Sequence, residues 1–226
     1  MAESDALRSH IRNTLGDLRG LSVGEEERYS SLAYCVIDAV YSIGVRYEAV
    51  LRTVSDFCSW CQLEHDRAQD SDEYSLSDFI GDLRPYENRW EALADEVFRN
   101  RQRTSSRSGI LKAEAVHRFA KALRQCGVNA VADLADGSRI DCCRDAVLAI
   151  PGQKSGISFK YFLMLAGHDG FVKPDRMVLR FVANALGVDV QSIDAGRAET
   201  LVQSVARELS KEFPKLTASR LDYETW

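Results

Sequence analysis

Two short stretches of this chain carry residue types suited to chemistry at a charged or polar ligand. The first is Lys173-Pro174-Asp175-Arg176, which opens an amphipathic run of Met177, Val178, Phe181, Val182, Ala185 and Leu186. Proline suits the first helical position, so the pattern predicts Asp175 in the first helical turn, where the helix dipole favours a carboxylate. A carboxylate fixed there can stabilise developing positive charge and orient a water molecule. The same residue type also serves simply to start a helix. The second stretch is Ile150-Pro151-Gly152-Gln153-Lys154-Ser155-Gly156. Pro151 cannot continue a helix, Gly152 can take positive φ, and Gly156 gives a second permissive point before an apolar helix from about Ser158. Such a turn can expose consecutive backbone N–H groups. With Lys154 and Ser155 beside them they suit a phosphate and are indifferent to sequence. An ordinary turn between two helices has the same composition.

The elements that must position these residues are helices. Leu32, Cys35, Val36, Ala39, Val40 and Ile43 follow a helical spacing without a miss, and Tyr47, Val50, Leu51, Val54, Phe57, Cys58 and Cys61 repeat it after Gly44. Further helices are predicted over 90–98, over 111–123 with Gly127 as a stop, and over 142–150, 158–166, 174–186 and 195–213. Sustained period-two alternation occurs nowhere, so the expected fold class is all-α. The acid-rich stretch 66–84 has the weakest pattern and is expected to be a surface loop or a partly ordered insertion. Internal repeats, low-complexity tracts and obvious linkers are lacking.

The chain has 226 residues, 45% of them hydrophobic, enough to bury a core without staples. The start, MAESDALRSHIRN, is polar and unlike a signal peptide, and no apolar run reaches the roughly 18 residues that cross a bilayer. A cytoplasmic location without membrane association is expected, with the six cysteines (Cys35, Cys58, Cys61, Cys126, Cys142 and Cys143) reduced. Cys58 and Cys61 form a lone CxxC inside a helix, and Cys142 and Cys143 are adjacent. Neither pair has the further ligands of a zinc or iron–sulfur site, so no metal and no cofactor are expected. The net charge of −5 is a local matter: 64–96 carries −8, leaving +3 elsewhere. Arg99, Arg101, Arg103 and Arg107 fall within nine residues without an acid, and Lys154, Lys160, Lys173, Arg176 and Arg180 outnumber the acids around them. These two stretches are candidate phosphate-facing surfaces, although Arg-rich loops also occur as plain solvated loops.

Taken together, an Ile-Pro-Gly turn, a following apolar helix and an aspartate nineteen residues beyond Gly156 resemble the helix-hairpin-helix DNA glycosylases of the endonuclease III superfamily. Ile150, Pro151, Gly152 and Asp175 stand at positions matching that family's hairpin and aspartate. More weakly, 32–50 resembles its early helix, with Ser42 at a serine and Gly44 where a gap-filling glutamine would stand. Lys154 takes the place of the second glycine of the turn, and Gly156 that of the amine with which bifunctional members form a Schiff base. The resemblance implies a helical barrel over 31–172 with the hairpin at about 142–166, and a second lobe from 1–30 and 173–226 carrying Asp175 at a cleft between them.

The function so implied is that of a monomeric, monofunctional DNA glycosylase. It flips a damaged or modified base, hydrolyses the N-glycosidic bond with Asp175 as catalytic carboxylate, and leaves an abasic site. DNA contacts are expected from Gly152, Gln153, Lys154, Ser155, Gly156, Arg101, Arg103 and Lys173. The base pocket is expected from Tyr34, Asp38, Tyr41, Ser42 and Trp60, all of residue types equally at home in a core. The 99–107 stretch, Lys154 and Lys173 are expected on one face with the hairpin, and the acids of 64–96 away from it. A non-catalytic helix-hairpin-helix DNA-binding module is the alternative, and a helical interaction protein a third reading.

Overall fold

The computed structural model describes residues 2–20, 29, 31–62 and 74–225. Among them there is no β-strand, only an isolated antiparallel bridge between Arg103 and Leu111, so the all-α expectation holds. In chain order the helices are α1 (Ala2–Leu15), α2 (Leu32–Tyr41), α3 (Tyr47–Cys61), α4 (Leu76–Leu83), α5 (Trp90–Ala92), α6 (Lys112–Gln125), α7 (Gly137–Leu148), α8 (Ile157–Leu165), α9 (Arg176–Leu186), α10 (Ala195–Leu209) and α11 (Ala218–Glu224). They form two compact units: Met1–Gly24 with Gly167–Trp226, and Glu25–Ala166.

In the central unit α2 is the axis. Ser31 caps its start by accepting from the Ala33 N–H, and all ten of its residues are buried, with α3, α6 and α8 packed around it. Helix α3 adds Val50, Val54, Phe57 and Cys58 to this core. The Phe57 ring lies against Tyr34, Phe79 and Phe98. A fully buried Phe of this kind contributes about 1.5–3 kcal/mol relative to an exposed one.

The acid-rich stretch departs from expectation. Residues 63–73, including the first eight of the predicted loop, lie outside the described residues, but 76–83 is α4 rather than loop. Ser75 and Asp78 form a reciprocal capping box, and Leu76, Phe79 and Leu83 face inward at helical spacing. The acids reflect its solvent side. The predicted helix over 90–98 begins as α5 and widens into a π-helical turn over Leu93–Val97. Helix α7 starts five residues earlier than expected because Asp136 caps it through the Ser138 N–H.

The cysteine reading needs one correction. Cys126 and Cys142 are joined in a disulfide, whereas Cys35, Cys58, Cys61 and Cys143 are free. Cys126 ends α6 and Cys142 lies in α7, which packs on α6; this brings their Cα atoms to 5.8 Å, within bridging range.

The terminal unit is built on α1, α9, α10 and α11. Helix α1 has few apolar residues, but Leu7 and Ile11 enter a core shared with Val178, Val182, Val202, Val205 and Leu221. Gly187, at φ 66°, closes α9 in the left-handed conformation, and Asp194 caps α10. Helix α10 stops at Leu209, four residues short of the predicted end, and α11 follows after Thr217 caps it. Among the described residues no helix is long and apolar enough to cross a membrane.

Candidate functional site

The turn between α7 and α8 is the helix–turn–helix element expected from the Pro-Gly pair. Gly152 has φ 86° and Gly156, at the N-cap of α8, has φ 73°. Lys154 lies outside the left-handed region, so a lysine fits there without backbone strain. Two bonds set the turn, from the Gln153 N–H to the Ile150 carbonyl and from the Gly156 N–H to the Gln153 carbonyl, both 3.0 Å. The buried Gln153 side chain accepts from Ser158 Oγ and locks the turn to the first residues of α8. Consequently Gln153 and Gly156 support the turn rather than face a ligand. The N–H groups of Gly152, Lys154 and Ser155 take no acceptor among the described residues, and all three residues are exposed.

The basic stretch folds against this turn. A bond from the Thr104 N–H to the Ile110 carbonyl (2.9 Å) and one from the Lys112 N–H to the Gln102 carbonyl (2.8 Å) make 102–112 a tight reversal. Its Thr104 side chain packs on Gly152, so closely that a Cβ on Gly152 would stand 2.3 Å from Thr104 Cβ. Arg103 bonds the Gly109 carbonyl of its own loop at 2.9 Å. Arg107 and Lys154 are exposed and have no ion-pair partner among the described residues. Arg101 differs: both its Nε and Nη2 meet Asp95 at 2.5 Å, which raises its pKa and lowers that of Asp95. Arg99 approaches Asp56 at 3.7 Å. The acids of 64–96 are therefore not all remote from the basic stretch, because Asp95 neutralises one of its arginines.

Asp175 is the N-cap of α9 and not a first-turn residue; Pro174 precedes the cap. Its carboxylate accepts from the Met177 N–H at 2.8 Å and the Val178 N–H at 3.4 Å. Its own N–H bonds the Lys173 carbonyl at 2.6 Å, so Lys173-Pro174-Asp175 is one tight turn. Lys173 is only 3% exposed, which removes it from any phosphate-facing surface. Its backbone N–H donates to Asp222 Oδ1 of α11 at 2.8 Å.

The residues chosen for a base pocket are interior. Tyr34, Asp38, Tyr41 and Ser42 are buried on α2 or at its C-cap. Tyr29 donates to Asp38 Oδ2 at 2.9 Å, and the Tyr41 hydroxyl reaches the Asn100 carbonyl at 3.4 Å. Burial raises the pKa of both Tyr34 and Tyr41, as expected of core phenols. Trp60 is half-buried between Phe57 and Tyr86. A groove of about 500 Å³ in this unit is lined instead by Trp90, His117, Arg118, Lys121 and Ile150 among others. There Lys121 pairs with Glu87 at 2.8 Å, and His117 has its pKa lowered by burial first and by Lys121 second.

Three buried polar residues that tether neighbouring loops escape a reading by local pattern. Buried Lys112 donates to the Tyr41 carbonyl (3.0 Å), the Ile43 carbonyl (2.8 Å) and Gln102 Oε1 (3.1 Å), tying the end of α2 to the basic loop. A lysine on the apolar stripe shared with Val116, Phe119 and Leu123 is the signal that could have found it. Ser219 and Asp222 of α11 are the others. Asp222 lies one helical turn from Ala218 on a buried face, an unusual place for a carboxyl.

Fold and site define an all-helical chain with an exposed, amide-presenting turn and a helix-capping aspartate. The chain belongs to the family described as Domain of unknown function (DUF8548), whose model matches residues 5–226. No curated protein and no solved structure matches it.

Proposed function

We propose that this chain is a DNA glycosylase of the helix-hairpin-helix kind, which binds the duplex backbone through the α7–α8 turn and hydrolyses an N-glycosidic bond with Asp175. The observation that carries the reading is the turn itself. Three N–H groups on exposed residues, without acceptors among the described residues and beside Lys154 and the loop bearing Arg107, suit phosphate and carry no sequence preference. Gly152 lies so close to Thr104 that this backbone is held rather than adaptable.

Cleaving the glycosidic bond builds positive charge on the deoxyribose. A carboxylate held by two helix N–H groups, as Asp175 is, would stabilise that charge and orient the attacking water. Gly156 offers no amine at the place where bifunctional relatives attack the sugar. Lys154 belongs to the phosphate-facing turn, and Lys160 lies one helical turn further on. Water is then the nucleophile, and the products are a free base and an intact-backbone abasic site.

The test is a panel of duplexes, each with one alkylated, oxidised, deaminated or enzymatically modified base, assayed for abasic sites. Base release is expected from at least one duplex, with strand breaks only after alkali and no covalent adduct on borohydride treatment. Efficient trapping would overturn the monofunctional assignment, and no release from any duplex would overturn the enzymatic one. One observation favours a second reading, a DNA-binding module without chemistry: the Asp175 carboxylate already has a structural task as the cap of α9.

A further inference from the structure

The turn that carries Asp175 has no regular structure of its own, and its fastening comes from the C-terminal helices. Gln203 of α10 donates to the Gly170 carbonyl at 2.9 Å. Ser219 of α11 donates its N–H to the Asp169 carbonyl at 3.1 Å and its hydroxyl to the carbonyls of Phe171 at 3.0 Å and His168 at 3.3 Å. One helical turn on, Asp222 Oδ1 accepts the Lys173 N–H at 2.8 Å. The Lys173 carbonyl in turn accepts the Asp175 N–H, and Asp175 caps α9. An unbroken series of bonds thus runs from the Asp222 carboxyl to the Asp175 carboxylate, with Pro174 stiffening its middle.

We infer that Ser219 and Asp222 are the positioning residues for Asp175, with α11 acting as the clamp that sets where the catalytic carboxylate stands; this rests on the glycosylase reading above. Asp222 is 3% exposed, so it acts through the Lys173 amide and not on substrate. Its remaining charged surroundings are Lys173, which favours the ionised form, and Asp175, which opposes it. Arg220 and Glu224 of the same helix pair with each other. Burial dominates and pushes the Asp222 carboxyl up to about 8, so it is largely a neutral acid at pH 7. Two neighbouring aspartates are thereby separated in task, one capping the start of a helix and one buried in the core. A neutral acceptor has a close isostere in asparagine. A leucine has the bulk without the acceptor and leaves the Lys173 N–H unsatisfied.

The experiment compares Asp222→Asn, Asp222→Leu and Ser219→Ala with the wild type. It measures single-turnover base release on the duplex the wild type cleaves fastest, affinity for a duplex with a stable abasic analogue, and hydrogen exchange of the Lys173 amide. Asp222→Asn is expected to keep its rate within about tenfold and to keep the amide protected. Asp222→Leu is expected to lose on the order of 10²-fold in rate, with the analogue still bound and Lys173 exchanging freely. A folded Asp222→Leu protein with unchanged rate or unchanged protection overturns the inference, as does Asp222→Asn failing as badly as leucine. Should Asp222→Leu not fold, Ser219→Ala decides: the inference requires about a tenfold slower rate with DNA affinity unchanged, and an unchanged rate overturns it. A wild type that releases no base overturns the glycosylase reading instead, and Lys173 exchange then decides alone whether Asp222 holds the turn.

Discussion

The α7–α8 turn and the Asp175 turn are both short, both contain a proline, and both precede a helix, yet they are held in opposite ways. The first is held mainly from within, by positive φ at Gly152 and Gly156 and by bonds among Ile150, Gln153 and Gly156. The second is held from outside, by Gln203, Ser219 and Asp222, residues 33 to 51 positions away. On the function proposed above, a surface that meets a uniform phosphate backbone needs only a rigid local shape, whereas a carboxylate that must meet one carbon atom needs its position fixed by a larger body.

Removing the supports of each turn sharpens this comparison. The largest effect on stability is expected from Cys126→Ser, which opens the bridge between α6 and the first helix of the hairpin. With a sequence separation of 16 residues, loop entropy gives about 3 kcal/mol, read as a lower denaturation midpoint under oxidising conditions. Gly152→Ala would both strain a φ of 86° and drive a methyl into Thr104. It should cost about 1–3 kcal/mol and weaken DNA binding, whereas any effect on Lys173 exchange would show that the two turns are not independent.

At the other turn, the buried Asp222 carboxyl gives a pH signature. Its folded pKa of about 8 is above the usual carboxylate value, so the folded state retains a proton that the unfolded state releases. Stability therefore falls as pH rises between about 4 and about 8, and Asp222→Asn, which cannot ionise, should gain on the wild type across that window and level off above it. Thermal denaturation at a series of pH values checks this, and a pH-independent difference would contradict the assignment of a neutral acid. The smallest effects concern single cations. Lys154→Ala or Arg107→Ala should each reduce the slope of log affinity against log salt by about 1, while Arg101→Ala, whose charge Asp95 already balances, should change it by much less.

How much could be read without coordinates follows the same division. Pro151, Gly152 and Gly156 act through their own backbones, so the hairpin was legible in seven consecutive residues. Helices α2 and α3 were legible because their apolar spacing is complete. Helix α1 was missed because two inward residues, Leu7 and Ile11, are too few to mark a period. Helix α4 was obscured by acids on its solvent side, although Ser75 and Asp78 carried its start signal. The disulfide joins cysteines from two helices, and no inspection of neighbouring cysteines could reveal it. The buried state of Tyr34, Asp38 and Tyr41 likewise depends on three helices packing around α2, and residue type alone fits a pocket or a core. Lys112 and Asp222 were the clearest missed signals, since each is a charged type on a buried helix face.

The central claim is that Asp175 supplies charge to a reaction and does not merely start α9. Asparagine caps a helix about as well as aspartate, so Asp175→Asn leaves the fold nearly unchanged while removing the carboxylate. Single-turnover base release by this variant, on the duplex the wild type cleaves fastest, is the direct measurement. A loss of about 10²–10⁴-fold with duplex affinity and thermal midpoint retained is the predicted result. An Asp175→Asn protein that releases base at the wild-type rate would contradict it and leave Asp175 as the cap of a DNA-binding module.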